Sequence, residues 1–290
     1  MNTVWSSYVQ GIDTLYLSRK LRFDDMFADR YKPLFCIDEK RKIKILEIGC
    51  GPGALAMALS RWYPDAEIWA IDRDSEFIRF AKTQGTAVNF MEGDATALPF
   101  DNGSFDVTIS NTVSEHIEPS AFFSEQLRVL KPGGVCLVLS ARRGINISAE
   151  CTAPDAREEE FWKRVSQYDD SMEKYSVCQY PMSEAELPAA AEQYGFQNVS
   201  VGYVAVDLTP DDPKYPAQMA RDMINAHRGT KLDAFASALR TMPERVSVEE
   251  IEELKAAANI RYDKRLELYE HGEKQWDTNV NIIMVVRGVK

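Results

Sequence analysis

The residues best suited to chemistry in this chain stand in one short stretch, Ile45-Leu46-Glu47-Ile48-Gly49-Cys50-Gly51-Pro52-Gly53. An apolar strand runs there straight into a glycine-rich turn. Glycine lacks a Cβ, takes positive φ readily and lets backbone N–H groups come close to a ligand. The run Ala54-Leu55-Ala56-Met57-Ala58-Leu59 that follows would be a helix aiming its N-terminus at the same spot, so the chemistry implied is that of a nucleotide cradle. Gly49, Gly51 and Ala54 also fit the dinucleotide-binding spacing with alanine in the third place, which makes a nicotinamide or flavin enzyme one reading of the loop alone. Downstream, Asp72 ends the apolar run Ile68-Trp69-Ala70-Ile71, where a carboxylate can accept hydrogen bonds from both hydroxyls of a ribose.

These groups need a scaffold that brings strand ends together. A third strand closes on Glu92-Gly93-Asp94-Ala95, and a fourth is read from Ser104-Phe105-Asp106-Val107-Thr108-Ile109-Ser110-Asn111. The tight turn Leu130-Lys131-Pro132-Gly133-Gly134 feeds a fifth, Val135 to Ser140. Strands alternating with helical stretches predict an α/β doubly wound sheet, whose ligands bind outside the carboxyl ends of the strands.

Glu47-x-Gly49-x-Gly51-x-Gly53, the acid at Asp72, the Gly93-Asp94-Ala95 loop and the Lys131-Pro132-Gly133-Gly134 turn, in this order, closely resemble class I S-adenosylmethionine-dependent methyltransferases of the small-molecule, "type 11" kind. The motifs cover about residues 43 to 140, and the strand pattern extends to the C-terminus. The resemblance implies a mostly parallel seven-stranded sheet whose last strand, Val280 to Val286, is antiparallel and inserts between strands five and six. It implies S-adenosylmethionine as cofactor. Gly49, Gly51 and Gly53 would pass beside its methionine part, with Cys50 in the same loop, and Glu47 would help hold its ammonium group. Asp72 would bind the ribose, with Arg73 beside it. Asp94 would accept from the adenine amino group while the Ala95 N–H donates to the ring, and Asn111 would face the methionine end.

The activated methyl group of such a cofactor asks little of the protein beyond a nucleophile held in line and a site without water. A base is needed only if the nucleophile must lose a proton. His116, in Asn111-Thr112-Val113-Ser114-Glu115-His116-Ile117, follows the fourth strand and is the candidate general base or substrate-positioning group, with bracing of the loop as the alternative.

With 290 residues, 45% of them hydrophobic, the chain can fill the core of one structural domain with insertions. It has no apolar run long enough to span a bilayer and no export signal, so a cytoplasmic enzyme is expected. The five cysteines have no close pairing and the spacings match no zinc site, so no disulfide and no metal is expected. A net charge of −11 without a basic stripe disfavours nucleic acid as a partner and leaves a small organic acceptor. A methyltransferase acting on tRNA or protein, or a binder that senses the cofactor without turnover, are the other two classes. The acceptor atom and the oligomeric state cannot be read from the chain.

Residues 1–42 are expected to form an N-terminal helical cap that folds over the cofactor. Tyr16 and Arg19, one helical turn apart, are its candidates to touch the carboxylate end of the methionine. Two insertions interrupt the remaining domain, 43–290, at about 141–180 and 208–276. Capping boxes at Ser183/Glu186 and Ser247/Glu250 open helices, and Ile251, Leu254, Ala258, Tyr262, Leu266 and Tyr269 form an apolar stripe on the second. Both insertions leave strand ends on the cofactor side, so they are expected to build a mobile lid over the acceptor, with Tyr175 and Met223 as substrate residues.

Overall fold

In the computed structural model, which describes residues 5–167 and 177–290, strand β1 (Lys44–Ile48) is buried at every position after its first, as a strand covered on both faces must be. It pairs in parallel with β2 (Glu67–Asp72) on one side and with β4 (Phe105–Asn111) on the other. β3 (Val88–Glu92) extends the sheet beyond β2, and β5 (Leu130–Ile147) extends it beyond β4. β7 (Thr278–Val289) runs antiparallel between β5 and β6 (Gln197–Leu208), giving the order β3-β2-β1-β4-β5-β7-β6. The seven-stranded sheet and the place of its antiparallel strand are as expected. Chain direction along the sheet reverses between β1 and β4, and the crevice that opens there is where such sheets bind ligands.

One face of the sheet buries Ile45, Ile109, Leu139 and Val285 against the N-terminal helices α1 (Ile12–Arg22) and α2 (Ala28–Phe35) and against α3 (Ala54–Trp62) and α4 (Ser75–Thr83). The other buries Val138, Met284 and Val286 under α5 (Pro119–Val129) and the later α7 (Glu186–Gln193). The two capping boxes form. Ser183 and Glu186 exchange N–H donations at 2.8 and 3.3 Å, and Ser247 Oγ accepts from the Glu250 N–H at 3.1 Å. Glu250 does not complete its half of the second box, because its carboxylate is taken by Arg164.

Two features of the insertions depart from expectation. β5 does not stop at Ser140: after a bulge between Ala141 and Arg143 it continues to Ile147, pairing with β7 from Ile282 back to Thr278. Ile145 and Ile147 alternate with polar residues at the period of a strand, and both stand exposed on it. The first insertion therefore begins after Ile147 and includes α6 (Ala156–Val165).

The second insertion is the hairpin of α8 (Ala217–Thr241) and α9 (Val248–Glu270), and it contributes nothing to the walls of the main cavity described below. It packs instead against α1 and the turn before it. Asp233 Oδ2 accepts the Gly11 N–H at 2.9 Å, and a Cβ on Gly229 would lie 2.8 Å from Thr14 Oγ1. The hairpin is tied back to the sheet by Arg265, fully buried, which donates to Asp211 at 2.8 Å and to Asp277 at 2.6 Å. α6 is bound to it by buried Glu158, which takes Lys231 and Arg261, and by the Trp162 ring stacked 5.4 Å from Phe235. The predicted apolar stripe of α9 is buried from Ile251 to Tyr262, and beyond it the inward residue is Arg265 rather than Leu266.

Candidate active site

A cavity of about 360 Å³ lies at the carboxyl ends of β1, β2 and β4. Gly49 and Gly51 form its floor at φ 68° and 52°, and a Cβ on Gly49 would lie 2.5 Å from Val113, so only glycine permits this close approach. Asp72 is fixed before any ligand arrives: Oδ2 accepts the Gly51 N–H and Oδ1 the Asp74 N–H, each at 2.8 Å. Asp74 in turn caps α4, accepting from the Glu76 and Phe77 N–H groups.

Burial pushes the Asp72 carboxyl up to about 6, against the opposing pull of its two N–H bonds. The sign of the consequence is fixed. An unfolded aspartate titrates near 3.8 and the folded one near 6, so the folded state holds the extra proton between those values. The stability contributed by this protonation is complete below about pH 4 and is lost as pH rises through 6. The melting temperature of ligand-free wild type, measured against Asp72→Asn, should therefore fall relative to the variant from pH 4 to 7. Parallel curves would show that Asp72 titrates normally. A ligand donating hydroxyls to the carboxylate favours the ionised form and should bind more tightly as pH rises through the same window.

Two buried acceptors on the strand ends lack partners among the described residues, Oε2 of Glu47 and Oδ1 of Asn111. Both residues line the cavity. Burial, followed by the neighbouring Asp72 charge, holds the Glu47 carboxyl well above the usual range. Buried acceptors without donors are costly unless a ligand supplies them, and the ammonium and hydroxyl donors of an S-adenosylmethionine-like cofactor match these two positions and Asp72. Asp94 and Ala95 line the far side, where Asp94 Oδ1 accepts from the Thr96 N–H and Oγ1 at 2.8 Å. Cys50 and Arg73 also line the cavity, and burial raises the Cys50 thiol well above its usual range.

The N-terminal segment forms the roof. Trp5, Leu15, Arg19 and Phe23 line the cavity, and Ser6 donates its N–H to Asp74 Oδ2 at 3.1 Å, joining the roof to the loop that holds Asp72. Arg19 donates to Thr112 Oγ1 at 3.1 Å. Burial, and then repulsion from Arg22, lowers its guanidinium to about 9. Thr112 holds φ 53°, a strained backbone for a β-branched residue, at the end of β4.

His116 lines the cavity, in a short 3₁₀ turn after β4. The Cys178 N–H donates to its Nδ1 at 2.9 Å, and its ring meets the edge of Trp5 with centroids 4.9 Å apart. Burial lowers its pKa, so the ring is neutral near pH 7, and with Nδ1 accepting, its proton sits on Nε2. In that tautomer His116 offers the cavity a donor, and its only basic nitrogen is already engaged.

Three predicted site residues among those described are not brought to the cavity. Gly53 starts α3 at φ 88°, and a Cβ there would lie 2.8 Å from the Phe90 ring, so its glycine answers to packing. Tyr16 turns away from the cavity to meet Phe80 edge-on at 5.2 Å. Met223 is buried in the main core because α8 braces α1 instead of covering the site. Tyr175 lies outside the described residues. Conversely, Trp5, Phe23, Asp74, Thr112, Gln179 and Tyr180 line the cavity without having been singled out for it. Only Asp74 had a local signal, an N-cap two residues after the ribose acid.

Residues 46–138 match the family described as a methyltransferase domain. That stretch carries the glycine loop and the strand-end acids, and it is similar to the methyltransferases as its motifs imply. This sets aside the dinucleotide reading of the glycine loop. The fatty-acid O-methyltransferase of Mycolicibacterium smegmatis is 37% identical over 103 residues, which is 34% of this chain and 37% of that protein. The norajmaline N-methyltransferase of Rauvolfia serpentina is 30% identical over 149 residues, covering 49% of this chain and 48% of the relative. The matches thus span about half or less of the length of these relatives. A solved structure of a candidate type II methyltransferase from Anaeromyxobacter dehalogenans superposes with a TM-score of 0.52 at 16% identity, over 90% of this chain and 95% of the other, a likeness of fold. Among the described residues no helix is long and apolar enough to cross a membrane.

Proposed function

We propose that this protein transfers the methyl group of S-adenosylmethionine to a small organic acceptor. The observation that carries the reading is the roofed cavity at the β1/β4 switch point, where Glu47, Asp72 and Asn111 present acceptors over a two-glycine floor. Glu47 would hold the ammonium group, Asp72 the ribose hydroxyls, Asp94 and Ala95 the adenine, and Arg19 the carboxylate of the methionine part. When bound, the cofactor supplies a methyl group already activated on a sulfonium. The chain's own work is to bind, orient and exclude water. Trp5, Leu15 and Phe23 close the roof over the strand ends, and His116 with Trp5 borders the space left for an acceptor.

A small acceptor suits a cavity of this size, the net charge of −11 and the relatives named for a fatty acid and for norajmaline. Calorimetric titration tests the proposal. S-adenosylmethionine and S-adenosylhomocysteine should bind, and NAD should not. Tight binding of NAD with no response to S-adenosylhomocysteine would overturn it, and cofactor binding without turnover on any acceptor would favour a sensor.

A further inference from the structure

We infer that the acceptor is a carboxylate, held by the indole N–H of Trp5 and the Nε2–H of His116 and methylated on oxygen. This rests on the methyl-transfer reading above and deepens it.

Trp5 Nε1 is a buried donor without a partner among the described residues, on a residue that lines the cavity. His116 lines the same cavity, and the Cys178 N–H on its Nδ1 leaves Nε2 as the protonated nitrogen, with no partner of its own among the described residues. The two rings touch, so these donors lie on one wall. A pair of neighbouring donors that nothing among the described residues satisfies calls for a group that only accepts, and a carboxylate does so with two oxygens. Arg73 also lines the cavity and places positive charge near His116, opposed there by Glu115, which acts on the ring more strongly. The opposing acids are accounted for. Glu47, Asp72 and Asp94 belong to the cofactor side, Asp74 caps α4 and accepts the Ser6 N–H, Glu118 is occupied in capping α5 with the Ser120 hydroxyl and the Ala121 N–H, and Glu115, whose charge reaches His116, does not line the cavity.

Among the described residues no free base stands beside these donors, and this points the same way. An alcohol or an ammonium group would have to lose a proton to act, and His116 has no nitrogen open to take it. A carboxylate is already ionised at neutral pH. In the step, a lone pair on one carboxylate oxygen forms the new O–CH₃ bond as the sulfur–methyl bond breaks and its electron pair stays on sulfur. The negative charge of the acceptor and the positive charge of the sulfonium are lost together, and no proton moves. A water-poor cavity favours the loss of opposite charges in this way.

The test is binding to protein saturated with S-adenosylhomocysteine, read by calorimetry. Butyrate, benzoate and octanoate are each compared with the alcohol and the amine of the same carbon skeleton. At least one carboxylate should bind about tenfold more tightly than both of its partners, as hydrogen bonds to a charged group would give. W5F keeps the ring and removes the donor, and H116N keeps an acceptor near the Cys178 N–H and removes Nε2. Each should weaken that carboxylate about tenfold while S-adenosylhomocysteine affinity stays within about threefold, which also shows that the variants fold. The inference is overturned if no carboxylate outbinds its alcohol and amine, or if both variants bind it as wild type does. Failure of S-adenosylhomocysteine to bind the wild type would instead remove the methyl-transfer reading itself.

Discussion

Asp72→Ala is expected to weaken S-adenosylhomocysteine binding by more than tenfold while the protein still melts cooperatively. A carboxylate that accepts two ribose hydroxyls contributes about 1.5 to 3 kcal/mol through charge-assisted hydrogen bonds. The variant also frees the Gly51 and Asp74 N–H groups that the carboxylate now fixes, so the glycine floor loosens as the ribose contact disappears. Calorimetry and a melting curve on the same sample separate the two possibilities. Unchanged affinity in a normally folded variant would remove the ribose role from Asp72.

Arg265→Ala should have the largest effect on stability. The side chain is fully buried and bonds two buried carboxylates, Asp211 and Asp277, which join the start and the end of the α8/α9 excursion. Asp211 also accepts the Gln275 and Trp276 N–H groups at 2.7 and 2.9 Å, so the chain's return to β7 hangs on the same cluster. Removing one partner of a buried ion pair costs about 3 to 5 kcal/mol because the remaining charge is left uncompensated. A drop on the order of ten degrees in melting temperature follows for a chain of this size. The triple change R265M, D211N and D277N leaves no buried charge in this cluster and should recover much of the loss. A single variant that melts within about two degrees of wild type would show that the cluster does not anchor the hairpin. Because α8 braces α1, where Arg19 stands, the single variant should also lose some cofactor affinity.

The sequence by itself determined the sheet and the floor of the site. Strand β1, the glycine turn and α3 form one local unit, and glycine positions and a strand-end acid have meaning within a few residues of themselves. The place of β7 between β5 and β6 was legible through the family resemblance, since antiparallel insertion is not encoded in its own residues. The roof and its bracing were decided by tertiary structure alone. Whether an amphipathic helix covers a ligand or another helix depends on what its apolar face meets, and the stripe on α9 looks the same in either case. The burial of Met223 and the turning of Tyr16 to Phe80 follow from that choice. So does the role left to His116, which was recognisable as a site residue from its place after β4. Which of its ring nitrogens stays open was set by a single backbone N–H at Cys178, 62 residues along the chain. Local sequence fixes which groups stand at a strand end; only the packing of distant segments fixes which of their atoms remain free to act.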